Sequence, residues 1–224
     1  MSEQLAFDMP VDTAFDRTDF FTSDANSAAV DAIENWRQWP QGKLILAGSE
    51  GSGKSHLARI WAEMVLAQVI EADGDWDAGE LVQGQVCVEN VHRIAGNRVQ
   101  ETRMFHVYNL MAQNGFSLLM TGRNTPKNWA ISVPDLASRL QATHLVQLGP
   151  PDDTLLAAVL LKQCSDRQLQ MEPGVVAFVL QRVERSFAGV RRVVEALDRL
   201  SLQRKRPVGK RMAAETLHQM ETHD

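Results

Sequence analysis

The sequence predicts an α/β fold, a parallel, doubly wound five-stranded sheet followed by a small all-helical unit. Three observations predict it. Gly48-Ser49-Glu50-Gly51-Ser52-Gly53-Lys54-Ser55 is a complete G-x-x-x-x-G-K-S loop, with the apolar run Leu44-Ile45-Leu46-Ala47 before it and a helical pattern after it. Short apolar runs then alternate with helical patterns as far as Pro150-Pro151, which is the signature of parallel strands joined by crossover helices. Beyond those prolines the pattern is helical only.

Taken in order, residues 1–22 read as an extended arm. Asp8, Pro10, Asp12, Asp16 and Asp19 interrupt any helix, yet Leu5, Phe7, Met9, Phe15, Phe20 and Phe21 make the arm apolar. Such an arm docks on its own domain or on a partner. Asp24 or Ser27 caps a helix running to about Trp39. Residues 23–150 then form the sheet unit, with strands at 44–47, 69–72, 85–90, 116–121 and 145–148. Helices follow the glycine loop, span about 99–113, and open at Pro134. Residues 151–224 carry helices over about 152–167, 173–185, 188–203 and 213–222, the third with Val190, Val193, Val194, Leu197 and Leu200 on one face.

Composition narrows the function. Of 224 residues 28 are acidic and 23 basic, a net charge of −5. That balance argues against a chain whose main task is coating nucleic acid. The two cysteines, Cys87 and Cys164, suggest neither a disulfide framework nor a zinc site. The N-terminus lacks a signal-peptide pattern and no apolar run is long enough to span a membrane. A cytoplasmic protein is expected.

The glycine loop carries the chemistry. Gly48, Gly51 and Gly53 let backbone N–H groups wrap a phosphate chain, together with Ser52. The following helix points its positive end at the anion. Lys54 reaches the terminal phosphates and Ser55 offers its hydroxyl to Mg²⁺, with Glu89 as the second metal-site residue, directly or through water. His56 belongs to the same nucleotide-binding set. The expected ligand is ADP or ATP with Mg²⁺.

The ordered set of motifs resembles the AAA+ ATPases, over about residues 13–224. Gly48–Ser55 is its Walker A motif, and Val86-Cys87-Val88-Glu89-Asn90 lies where Walker B belongs. Met120–Lys127 resembles the sensor 1 stretch of the bacterial replication initiator DnaA. Pro134-Asp135-Leu136-Ala137-Ser138-Arg139-Leu140 is similar to the DnaA segment carrying an arginine finger, and Gly189–Leu197 to its sensor 2 helix. The chain ends soon after the helical unit, so no DNA-reading domain of the initiator's kind is expected, and it begins with Gln4-Leu5-Ala6-Phe7. That peptide resembles those docking in the DNA polymerase sliding clamp. Together these features resemble the Hda family, regulatory inactivators of DnaA.

The resemblance implies a nucleotide-bound protein at the replisome or nucleoid. It would hold the clamp through Gln4, Leu5 and Phe7, and stimulate ATP hydrolysis on the initiator, preventing re-initiation. Arg139 would be the finger acting in trans, Arg191 would reach the phosphates from the lid, and Phe20 and Phe21 would lie near the adenine or plug the core. A solvated Arg191, and a surface Arg139 paired with a nearby acid such as Asp135, are the plainer alternatives. One departure stands out. Asn90 occupies the place of an acid in the initiator and cannot serve as a base, so weak or absent intrinsic hydrolysis is expected, with Asn90→Asp the variant that would return an acid. The cluster Arg204-Lys205-Arg206 with Lys210-Arg211 reads as a solvated junction before a DNA contact. Two rivals share the glycine loop: a DNA-remodelling or loader-type AAA+ ATPase, and a P-loop phosphotransferase. Self-association into a homo-oligomer stays open to the first and to the favoured reading.

Overall fold

The computed structural model describes residues 21–81 and 83–221. The sheet elements run in the order α1 (Ser27–Glu34), β1 (Lys43–Gly48), α2 (Lys54–Val65), β2 (Gln68–Glu71), α3 (Ala78–Leu81), β3 (Val86–Glu89), α4 (Arg98–Gln113), β4 (Leu118–Gly122), α5 (Pro134–Ala142) and β5 (His144–Leu148). All strand pairs are parallel, in the order β2-β3-β4-β1-β5.

Alternation along β1 shows why two helical layers are needed. Leu44 and Leu46 join a core with Ile33, Leu57, Trp61 and Leu119, under α1 and α2. Ile45 and Ala47 join the opposite core with Met104, Val107, Met120, Leu136 and Leu140, under α4 and α5. Both faces of the central strands are thereby removed from water, which fits their near-continuous apolar composition. The doubly wound parallel sheet expected from the alternation is present.

After β5 the chain forms only helices of length: α6 (Asp153–Asp166), α7 (Val175–Leu180), α8 (Phe187–Arg204) and α9 (Lys210–Glu221). Asp152 caps α6 by accepting from Leu155 N–H at 2.7 Å, and Ser186 caps α8 by accepting from Gly189 N–H at 2.9 Å. Val190, Val193, Val194 and Leu197 are fully buried in this second core, as their spacing predicted, and Leu200 packs against it. One parallel bridge, Met171 to Val208, is its sole strand-like pairing among the described residues.

Three elements differ from the expected ones. α1 ends at Glu34 and gives way to short 3₁₀ turns at Trp36–Gln38 and Pro40–Gly42. The bend lets Trp39 lie 5.1 Å from the Trp61 ring and donate its indole N–H to Ala32 O. α7 stops at Leu180, not near Arg185, because the chain must turn to bring Ser186 to the start of α8. α3 was not anticipated: Asp77 accepts from Gly79 and Glu80 N–H and nucleates a helix of four residues.

Gly122, at the end of β4, has the Trp129 indole against its Cα, so that a Cβ there would overlap the ring. Trp129 in turn donates its indole N–H to Arg123 O at 2.6 Å, closing the loop after β4. Gly122→Ala is expected to cost about 1–3 kcal/mol by overpacking. Gly149→Ala, where a Cβ meets nothing within 4 Å, should leave stability nearly unchanged. Urea denaturation of the two variants checks this.

Candidate functional site

Parallel pairing brings the polar ends of three strands to one edge of the sheet. β1 ends in the glycine loop, β3 in Glu89 and Asn90, β4 in Thr121 and Gly122. Gly53 closes the loop at φ +96°, a conformation costly to any residue with a Cβ, and α2 begins at the next residue. Lys54 is 7% exposed and its ammonium donates to Gly48 O at 2.9 Å, Ser49 O at 2.6 Å and Ser52 Oγ at 3.4 Å. Burial, then the nearby Arg123 cation, holds its pKa below the usual lysine range, against the opposing pull of Glu50 and Glu89. A buried ammonium whose bonds all go to neutral oxygens is a cation suited to receive an anion.

Ser55 donates its hydroxyl to Glu89 Oε2 at 2.6 Å, and Glu89 is 6% exposed. A hydroxyl and a buried carboxylate at this separation are two oxygen donors of the kind Mg²⁺ uses beside phosphate oxygens and water. Among the described residues no group of three or more His, Cys, Asp or Glu side chains could hold a metal by itself.

Asn90 turns elsewhere. Its backbone has φ +59°, which asparagine tolerates better than most residues. Its N–H donates to Thr121 Oγ1 at 3.0 Å, and its side-chain amide donates to Glu71 Oε2 at 2.9 Å. Arg93 binds the same Glu71 oxygen at 3.3 Å. The amide is therefore held toward the edge strand β2 by an exposed carboxylate.

Between loop and lid lies a small cleft, lined by Phe21, Ser52, Gly53, His56, Leu57 and Phe187 among others. Phe21 is 48% exposed at this cleft and does not plug the core. Phe20, and the arm residues Gln4, Leu5 and Phe7, lie outside the described residues. α8 meets the loop directly. Phe187 N–H donates to Gly51 O at 3.3 Å, and the Phe187 ring covers Gly53. Arg191 stands exposed in the first turns of the same helix, while its neighbour Arg192 pairs with Glu184.

Arg139 is remote from this cluster. It sits in the last turn of α5, just before β5, whose first paired residue, His144, faces Leu44 at the far end of β1 from Gly48. Its guanidinium lies 5.2 Å from the Phe105 ring and 5.7 Å from that of Tyr108. Among the described residues no ion pair joins it to Asp135.

The motifs did not single out three residues at the loop's mouth. Arg123 pairs with Glu50 of the glycine loop, and Arg123 N–H donates to His92 Nδ1 at 3.2 Å. Burial and the cations Arg123, Arg93 and Lys54 push the His92 pKa down, against a smaller pull from Asp73. Glu50 and Arg123 both lay inside recognised stretches, but their contact spans 73 residues of sequence.

Two of the five basic residues of the lid cluster share one carboxylate. Arg204 and Arg211 both bind Glu215, at 2.7 and 3.3 Å, while Lys205, Arg206 and Lys210 are exposed.

A family model described as "Hda, lid domain" matches residues 152–210. Domain III of the replication initiation protein DnaA from Thermotoga maritima superposes with TM-score 0.79 at 18% identity, covering 94% of this chain and 98% of that one. AMPPCP-bound DnaA from Aquifex aeolicus gives 0.61 at 18%, covering 85% and 67%. The Thermotoga maritima RuvB Holliday junction branch migration motor gives 0.65 at 17%, covering 86% and 66%. The fold is that of an AAA+ module with a helical lid, and residues 152–210 are similar to the lid domain of Hda. Among the described residues no helix is long and apolar enough to cross a membrane.

The Glu71–Asn90 contact predicts the behaviour of Asn90→Asp. The variant sets a second carboxylate against Glu71, and the like charge raises one carboxyl pKa in the folded state above its unfolded value. A raised carboxyl pKa destabilises at pH above it, and the penalty fades as pH falls through it. The variant should lose up to about 1 kcal/mol at pH 7, these groups being half exposed, and recover toward pH 4. Urea midpoints at the two pH values check this; equal deficits would refute it.

Proposed function

We propose that this protein is a nucleotide-bound AAA+ adaptor that docks on the DNA polymerase sliding clamp through Gln4, Leu5 and Phe7 and stimulates ATP hydrolysis by DnaA, preventing re-initiation. ADP or ATP would lie with its phosphates in the Gly48–Ser55 loop, facing Lys54, and with its base in the cleft beside Phe21, His56 and Phe187. Ser55 and Glu89 would hold Mg²⁺, which neutralises phosphate charge when bound. Arg191, exposed in the first turns of α8, would reach a phosphate from the lid. The AMPPCP bound to the Aquifex aeolicus relative supports the ligand class. The Hda lid match supports the regulatory class over a loader or a phosphotransferase.

One observation carries the reading. The exposed guanidinium of Arg139 stands on an aromatic shelf, away from its own glycine loop, while the amide of Asn90 fills the position of an acid at that loop and is bound to Glu71. An arginine so held serves a neighbour's nucleotide, and a site so equipped has little need to hydrolyse its own. A guanidinium entering the initiator's site would stabilise charge developing on the transferred phosphoryl group, bidentate geometry favouring arginine over lysine.

The test compares two variants with clamp on DNA and ATP-loaded initiator. Arg139→Ala should fold and bind nucleotide and clamp normally, yet lose most of the stimulation, up to about 10³–10⁵-fold in rate for a full finger. Wild-type stimulation by that variant would refute the role. Lys54→Ala should instead lose nucleotide affinity, read by calorimetry. Unchanged affinity there would refute the loop assignment.

A further inference from the structure

Glu101 is a carboxylate with 0% exposure, in the first turn of α4. Burying a charge is costly unless every lone pair finds a donor. Here each oxygen is used. Oε1 accepts from Gly96 N–H at 2.8 Å; Oε2 accepts from Ser132 N–H at 2.9 Å, Ser132 Oγ–H at 2.6 Å and Val133 N–H at 2.8 Å. Together these bonds outweigh burial and hold its carboxyl below the usual glutamate range.

Three of the four bonds go to the two residues before Pro134, where α5 begins. Val133 is the N-cap of α5 and supplies no side-chain cap. Glu101 supplies the anion in its place, at the positive end of the helix. The other end of α5 is held by the same face of α4. Thr143 Oγ donates to Arg139 O at 2.8 Å, so the Tyr108 hydroxyl, 3.1 Å away, is the donor to Thr143. Glu101, Phe105 and Tyr108 fall at i, i+4 and i+7, one stripe of α4. The buried Lys43 ammonium lies 4.7 Å from the Tyr108 ring, and the Arg139 guanidinium also lies over that ring.

We propose that Glu101 is a positioning residue for Arg139: it fixes the start of α5 so that the guanidinium is presented, already oriented, on the Phe105–Tyr108 shelf. The proposal rests on the reading of Arg139 as a finger acting in trans. It adds that the finger is preorganised by a buried carboxylate that touches neither nucleotide nor partner. Glutamine cannot replace it. With its oxygen toward Ser132 and Val133, its NH₂ would face the Gly96 N–H, donor against donor; reversed, its NH₂ would face the Ser132 and Val133 N–H groups and leave both without an acceptor.

Two readouts separate this proposal from the reading beneath it. The first is position. In the wild type, ring currents from Phe105 and Tyr108 should shift the Arg139 δ-methylene protons upfield in NMR spectra, assigned by their loss in Arg139→Ala. Glu101→Gln should collapse that shift toward the free-chain value while circular dichroism stays folded. Ser132→Ala, which removes one bond of four, should move it partway and serves if Glu101→Gln is too unstable. The second is rate, in the clamp and initiator assay. Glu101→Gln should lower the maximal stimulated rate roughly 10- to 100-fold, the order expected for a group displaced by about 1 Å, with the half-saturating concentration unchanged. In an Arg139→Ala background it should have no further effect.

An Arg139 shift unmoved in both Glu101→Gln and Ser132→Ala overturns the positioning role. A collapsed shift combined with full stimulation by Arg139→Ala leaves the positioning intact and overturns the finger reading instead. A rate loss that persists undiminished in the Arg139→Ala background shows that Glu101 acts by another route and also overturns the proposal.

Discussion

Parallel pairing of β1 with β4 and β5 is the constraint from which the rest of the molecule follows. Every residue of β1 is buried, so a one-residue slip would exchange the side chains packed into its two cores, and packing on both faces pins the register. With the register fixed, the carboxyl ends of β1, β3 and β4 finish side by side. The glycine loop, Glu89 and Thr121 meet for that reason, although they are far apart in sequence: the hydrogen bond from Ser55 to Glu89 spans 34 residues and that from Asn90 to Thr121 spans 31.

At that edge, electrostatics is a balance of buried and exposed charge. Lys54 is buried among carbonyls, Glu89 is buried beside a hydroxyl, and Arg123 with Glu50 spans the open mouth above them. The Arg123–Glu50 pair is half exposed or more on both sides, so it contributes little to stability. Its value is positional: it keeps a cation beside the loop that an incoming anion can compete for. The lid adds a second tether. Since Phe187 N–H binds Gly51 O, the start of α8 and the glycine loop share a backbone bond, and a shift of the lid is felt at the loop.

What could be read from the sequence was what is local. The glycine loop announces itself because its glycines, lysine and serine lie within eight residues. The strands announce themselves by apolar runs, and α8 by the spacing of Val190, Val193, Val194 and Leu197. Element ends were less legible, because tertiary contacts decide them: Trp39 on Trp61 ends α1, and Ser186 at the cap of α8 ends α7. The site was half legible. Motifs named Lys54, Ser55, Glu89 and Arg139, yet the partner of Asn90 is a strand away at Glu71. The shelf beneath Arg139 belongs to a helix 31 to 34 residues earlier, and nothing in the local pattern around Glu101 marks it as fully buried.

Glu101 shows how one such non-local residue ties two regions together. Gly96, which donates to Oε1, follows the turn that leaves β3 after Asn90. Ser132 and Val133, which donate to Oε2, precede the helix that bears Arg139. The exit of the strand holding Glu89 and the entry to α5, which bears Arg139, are thus fastened to the two oxygens of one carboxylate. Neither loop can move away without leaving a buried acceptor short of a donor, which costs more than the bond itself is worth. The glycine loop and the exposed Arg139 lie at opposite ends of the same sheet, and a rigid link of this kind fixes the geometry of one relative to the other.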